Sequence, residues 1–193
     1  MKYGWSVNMA HPGYVARIKQ SPDKTDYSDA KLLADLERVG YLPKVWLAPL
    51  EVQDLRTLTR HRAELAAQKR AAKLRVRAIL RNYRLKGEDN AWTKKWLSWV
   101  REEAQLPPQA RWVLERHLCE IERLVGELKI VEKRIEEATK ENRFVQFLLQ
   151  ESGVGLVTAA TLAAELGRVD RFRNAKQLSR FCGVSPRNAS SGS

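Results

Sequence analysis

The sequence predicts a mainly α protein with a short α/β segment at its amino end, and three observations carry this. Two long stretches, from Pro49 to about Leu85 and from Pro108 to about Asn142, repeat apolar residues at helical spacing. The alanine-rich run LVTAATLAAEL follows a glycine turn near the carboxy end. Strand-like alternation is confined to the first 50 residues or so.

In that first part, YGWSVNMA reads as a short strand, HPGYVARIKQ turns into a short helix, and KVWLA before Pro49 reads as a second strand. Between them lies SPDKTDYSDAKLLADL, which sets Asp26 and Asp29 three residues apart ahead of an apolar pattern of Leu32, Leu33, Leu36 and Val39, closed by Gly40. Two readings of the pair stand side by side. Asp is a favoured N-cap, and acids in a first turn complement the helix dipole. Residues i and i+3 also project from one side of a helix, so both carboxylates can aim at one divalent metal. A sheet of two short strands is marginal alone, so further strands are expected to be missing or supplied elsewhere.

The helix from Pro49 carries Val52, Leu55, Leu58, Leu65, Ala72, Val76 and Ile79 on its apolar side. From Arg56 to Lys86 it also carries Arg56, Arg60, Arg62, Lys69, Arg70, Lys73, Arg75, Arg77, Arg81 and Arg84 against the single acid Glu64. A solvated helix ordinarily mixes signs to gain i,i+4 pairs, so a one-sign helix calls for a polyanionic partner. The net charge of +12 and pI near 10.0 agree, and nucleic acid is the leading candidate. Trp92, Trp96 and Trp99 then share a helical face, a stripe that reads as packing.

From Pro108, Leu114, Leu118, Ile121, Val125, Leu128, Val131, Ile135 and Ala138 form a heptad-like seam with nearly balanced charge around it. A coiled coil follows, formed either with the basic helix as an antiparallel hairpin or with the same helix of another copy, and a homo-oligomer through this seam is expected. The Gly153 to Gly155 turn before the alanine-rich helix has the pattern of a helix-hairpin-helix element, whose backbone N–H groups could face a phosphate. The domain division predicted is 1–50, 51–143 and 144–193.

Cys119 and Cys182 lie outside any Cys/His ligand spacing and read as buried thiols in a reducing cytoplasm. No apolar run reaches the roughly 18 residues a membrane span needs, and the first residues lack a signal-peptide core. A cytoplasmic protein without a membrane partner is expected.

Four segments in order, KTDYSDAKLLADL, LRTLTRHRAELAAQKRAAKLRVRAIL, SGVGLVTAATLAAELG and RFRNAKQLSRFCGVSPRNASSG, together resemble the DEDD insertion-sequence transposases. The resemblance implies a ribonuclease-H-like nuclease domain at the amino end, four acidic residues that bind Mg²⁺, and a carboxy-terminal domain whose serine attacks DNA. It assigns the closing D-x-x-D of the acidic set to Asp26 and Asp29, and the serine to Ser191, five residues after Pro186, with Ser190 as the second choice. It also implies DNA and a structured guide RNA as partners. The family's first two acids lie on strands upstream of anything here, so the chain reads as an internal fragment that holds Mg²⁺ weakly. The rival reading is a non-enzymatic nucleic-acid-binding coiled-coil protein.

Overall fold

The computed structural model describes residues 7–19, 25–87 and 90–184, and divides the chain into two compact units, residues 1–49 and 50–193.

In the first unit, strands β1 (Met9–Ala10) and β2 (Lys44–Val45) pair antiparallel, Met9 opposite Val45 and Ala10 opposite Lys44. Helix α1 (Pro12–Ile18) starts on a proline, whose missing N–H costs nothing in a first turn. Helix α2 (Asp26–Arg38) ends as expected. Gly40 takes φ 75°, and the Tyr41 and Leu42 amides both donate to the Leu36 carbonyl. Glu37 ties α2 to the strands, accepting from Lys44 at 2.7 Å and from Asn8 at 2.9 Å. The apolar face predicted for α2 is only partly covered. Leu36 is buried and Leu32 half-buried, while Leu33 and Val39 are exposed. Two strands of two residues each make too little sheet to cover a helix face.

The second unit is built on a helical hairpin. Helix α3 (Leu50–Asn82) and helix α5 (Pro108–Thr139) run antiparallel. Leu65 packs with Leu124, Leu128, Val131 and Ile135, and further along Ala72, Val76 and Leu80 pack with Leu114, Leu118 and Ile121. The seam expected to join copies is therefore filled by α3 of the same chain. Its register also differs from the heptad reading at two places: Leu124 and Thr139 are buried where Val125 and Ala138 were expected. A third helix, α7 (Leu156–Leu166), explains the first shift, because Ala160 joins the Leu124 cluster and widens the buried stripe of α5. Thr139 can be buried because its hydroxyl donates to the Ile135 carbonyl at 2.7 Å.

Helix α4 (Lys94–Glu102) closes one end of the hairpin, capped by Thr93, whose Oγ1 accepts from the Trp96 amide at 3.2 Å. Trp96 and Val100 enter the core with Ala104. Trp92 stands outside the helix, at φ 76° in the preceding turn, yet its ring packs 4.8 Å from that of Trp96. The tryptophan stripe is thus packing, as expected, but only two of its members are helical. Gly87 is required here, since a Cβ would come within 2.9 Å of the Trp99 ring. Arg111 donates to the carbonyls of Val100, at 2.6 Å, and Ala104 at the end of α4.

Helix α6 (Arg143–Leu148) is capped by Asn142, whose Oδ1 accepts from the Phe144 and Val145 amides at 3.1 Å. Val145, Ala159 and Ala163 form a further cluster under Leu55 and Leu148. The alanines of α7 let it lie close against α3. Helix α8 (Ala175–Phe181) follows, and the Arg171 guanidinium lies over the rings of Phe172 and Phe181, at 4.3 and 4.6 Å. Cys119 and Cys182 are exposed, which corrects their reading as buried thiols: Cys119 falls outside the buried stripe of α5, and Cys182 caps the short α8.

Candidate functional site

The acidic pair sits in the first turn of α2, but neither aspartate is its cap. Thr25 is, with extended backbone at φ −120°; its Oγ1 accepts from the Ser28 amide at 3.2 Å, and Ser28 Oγ accepts from the Thr25 amide at 3.4 Å. This reciprocal box satisfies the helix end by hydroxyls. The sequence signal was T-x-x-S one residue ahead of the carboxylates. Asp26 and Asp29 are exposed and free of capping duty. Asp29 is paired with the ammonium of Lys19, 2.5 Å away. In kind, two carboxylates on one helical turn suit a hard divalent cation, which would compete with Lys19 for Asp29. In number they fall short. Among the described residues no group of three His, Cys, Asp or Glu side chains converges.

A prediction separates cap from acids. Thr25→Ala should destabilise the start of α2 by about 1 kcal/mol, and Asp26→Asn should leave it nearly unchanged. Amide hydrogen exchange at Ser28 and Asp29 measures both.

The basic residues of α3 fall into two groups. Those near its start are engaged inside the chain. Arg56 donates to the carbonyls of Ala164, at 2.6 Å, and Glu165, at 3.1 Å, covering the carboxy end of α7. Arg60 forms a two-pronged pair with Glu165 at 2.8 and 3.0 Å, and Arg62 pairs with Glu132 at 2.7 Å. The Arg60 hydrogen bond outweighs partial burial and holds the Glu165 carboxyl below its usual range. The pair is therefore complete near neutrality and weakens as pH falls through that lowered value.

Further along, Arg70, Arg77 and Arg81 are exposed and make no ion pair among the described residues. With Lys73 they follow steps of three and four, a stripe on one flank of α3 about 16 Å long at the helical rise. Lys73 leans over the Trp92 ring, 4.6 Å from its centroid; burial first, and then the charge of Lys69, pull its pKa down. Lys69 is half-buried and Arg75 lies on another side of the helix.

Gly153 takes φ 84°, a conformation few other residues adopt, and Gly155 begins α7 without a side-chain cap. Both have open space where a Cβ would stand. Ser190 and Ser191 lie outside the described residues.

Two family models match the chain in order. One, for DEDD transposases of the IS110 type and described as "Transposase", covers residues 3–85, and the other, "Transposase IS116/IS110/IS902 family", covers residues 145–193. Both matched families are insertion-sequence transposases, the first of the DEDD type. The first match contains Asp26, Asp29 and the basic stripe, and the second contains Gly153, Gly155 and Ser191. Transposase relatives agree along the whole chain. "Transposase for insertion sequence element IS1111A" of Coxiella burnetii is 27% identical over 195 residues, covering 100% of this chain and 53% of its own length. "Putative transposase y4qE" of Sinorhizobium fredii is 28% identical, with 94% of this chain and 44% of its own length aligned. "Probable family 20 transposase" of Pseudomonas aeruginosa is 26% identical, at 98% and 57%. The chain spans about half the length of these transposases. No solved structure matches it.

Proposed function

We propose that this chain takes part in DNA strand cleavage and exchange as a transposase of the DEDD insertion-sequence family. The observation that carries the reading is the order of the two family matches, with the acidic pair inside the first and the serine inside the second. Asp26 and Asp29 would hold a divalent cation, Mg²⁺ by the family resemblance, together with acids from elsewhere. Bound there, such an ion polarises a phosphodiester and stabilises charge on the entering and leaving oxygens. Ser191 would act as the nucleophile. Its Oγ forms a bond to phosphorus while the bond from phosphorus to the leaving sugar oxygen breaks; the serine gives up its proton and the departing oxygen takes one up. A hydroxyl needs help to lose that proton, so the serine and the acidic pair must meet on one substrate.

The first unit fits part of a ribonuclease-H-like domain, since two short strands beside two helices leave apolar side chains exposed for more sheet. The hairpin of α3 and α5 is coiled-coil-like in its paired apolar seams. Its exposed cations suit DNA or a structured guide RNA. Because α3 fills the α5 seam within the chain, association of copies would use another surface. A role on cellular DNA would be carried out in the cytoplasm.

The stripe gives the test. Replacing Arg70, Arg77 and Arg81 by Gln should weaken binding to duplex DNA or hairpin RNA and reduce the slope of log affinity against log salt by roughly one unit per lost phosphate contact. Arg60→Gln, which removes an internal pair, should leave the slope unchanged. Equal slopes in the triple variant and wild type would refute this use of α3.

A further inference from the structure

Beside the basic stripe, between α3, α4 and α5, lies a cavity of about 320 Å³. Trp92 and Leu97 line it, the buried Leu118 and Ile121 make its apolar floor, and the exposed Val125 stands at its mouth. Two cations edge it: Lys73, which belongs to the stripe, and Arg101, which pairs with Glu122. None of the function proposed above uses it.

We propose that this cavity receives a single unpaired nucleobase from a strand whose phosphates lie along Arg70, Lys73, Arg77 and Arg81. This rests on the reading of α3 as a nucleic-acid surface and adds a site to it. The chemistry fits the parts of a nucleotide. A base is flat and largely apolar on its faces, and an indole is a favourable surface for it whatever its identity. The base is tethered to an anion at short fixed reach, and here the aromatic wall and the nearest cation are already in contact. Lys73 Nζ stands 4.6 Å over the Trp92 ring, so an entering base would take over the ring face and release the ammonium to a phosphate. The Glu122 carboxylate at the rim is neutralised by Arg101. The size agrees as well, at the small end of ligand sites. An apolar peptide side chain would use the floor but give the four cations no anion.

Two hairpin probes of equal length and charge, one with a bulged 2-aminopurine and one with the same base paired, test this on the full chain, each made as RNA and as DNA. Wild type should bind the bulged probe about tenfold more tightly, with its fluorescence quenched by stacking. Val125→Trp should fill the cavity, and Val125→Glu should place an anion at its mouth. Val125 is 38% exposed, so either change leaves the core intact, as matching circular dichroism would verify. Both variants should lose the preference and the quenching; the paired probe should bind Val125→Trp as it binds wild type. RNA and DNA arms that differ would identify the source of the strand. Equal wild-type affinity for bulged and paired probes, or a preference that survives both substitutions, overturns the cavity alone. Failure of wild type to bind either probe overturns the nucleic-acid reading of α3 and the cavity with it.

Discussion

Putting lysine at Leu118 and Leu128 is expected to unfold the second unit and not merely to separate copies of it. Both leucines are 4% exposed, one packed near Val76 and the other near Leu65 across the hairpin. Each substitution removes a well-packed side chain and leaves an unpaired ammonium to be buried or dragged out to water, at a cost of at least about 3 kcal/mol. Two such losses approach or exceed the roughly 5–15 kcal/mol that holds an ordinary domain together. Far-UV circular dichroism should show the loss of helix at room temperature. Sedimentation supplies the opposite outcome: a wild-type oligomer that becomes a fully helical monomer would mean that the seam joins copies in solution.

The second large effect is expected in strand exchange. Residues 1–193 joined to the flanking segments of a relative such as the IS1111A transposase should cut and join DNA with Mg²⁺ and form a covalent adduct at Ser191. Asp26→Asn, Asp29→Asn and Ser191→Ala should each reduce product by roughly a hundredfold or more, because on the proposed reading the first two lose a ligand of the ion that polarises the phosphate and the third loses the nucleophile. Their melting temperatures should stay within a degree or two of the parent, since Thr25 and Ser28 hold the helix end without help from either carboxylate. Chimeras that stay active as Asn variants would leave the aspartates as surface charges at a helix start. Loss of product with an intact adduct at Ser190 would move the nucleophile by one position.

Much of the fold was legible because long helices announce themselves by period, and α3 and α5 each lie within the predicted stretch. Details decided by a third neighbour were not. Leu124 could not be told from Val125 by spacing along α5, because the answer depends on where α7 lies. Charge misled in a similar way. Arg56, Arg60 and Arg62 look like Arg70 and Arg77 in the sequence, but their partners Glu165 and Glu132 are 70 or more positions away. The cap of α2 could have been found in the sequence. Asp draws the eye there, while T-x-x-S supplies the hydrogen bonds.

The clamp of Arg56 and Arg60 on the end of α7 makes the hairpin a ruler. It anchors the module that leads toward Ser191 at one place on α3, and the rigid helix then carries the cationic stripe a set distance and direction away, about 25 Å from Arg60 to Arg77 at the helical rise. Length and phase are linked on such a ruler. One residue added to α3 between clamp and stripe would turn the cations by about 100° while lengthening it by only about 1.5 Å. Matched changes of whole turns in α3 and α5 would alter the reach and keep the aim, so lineages of this chain should vary in hairpin length by full turns or not at all.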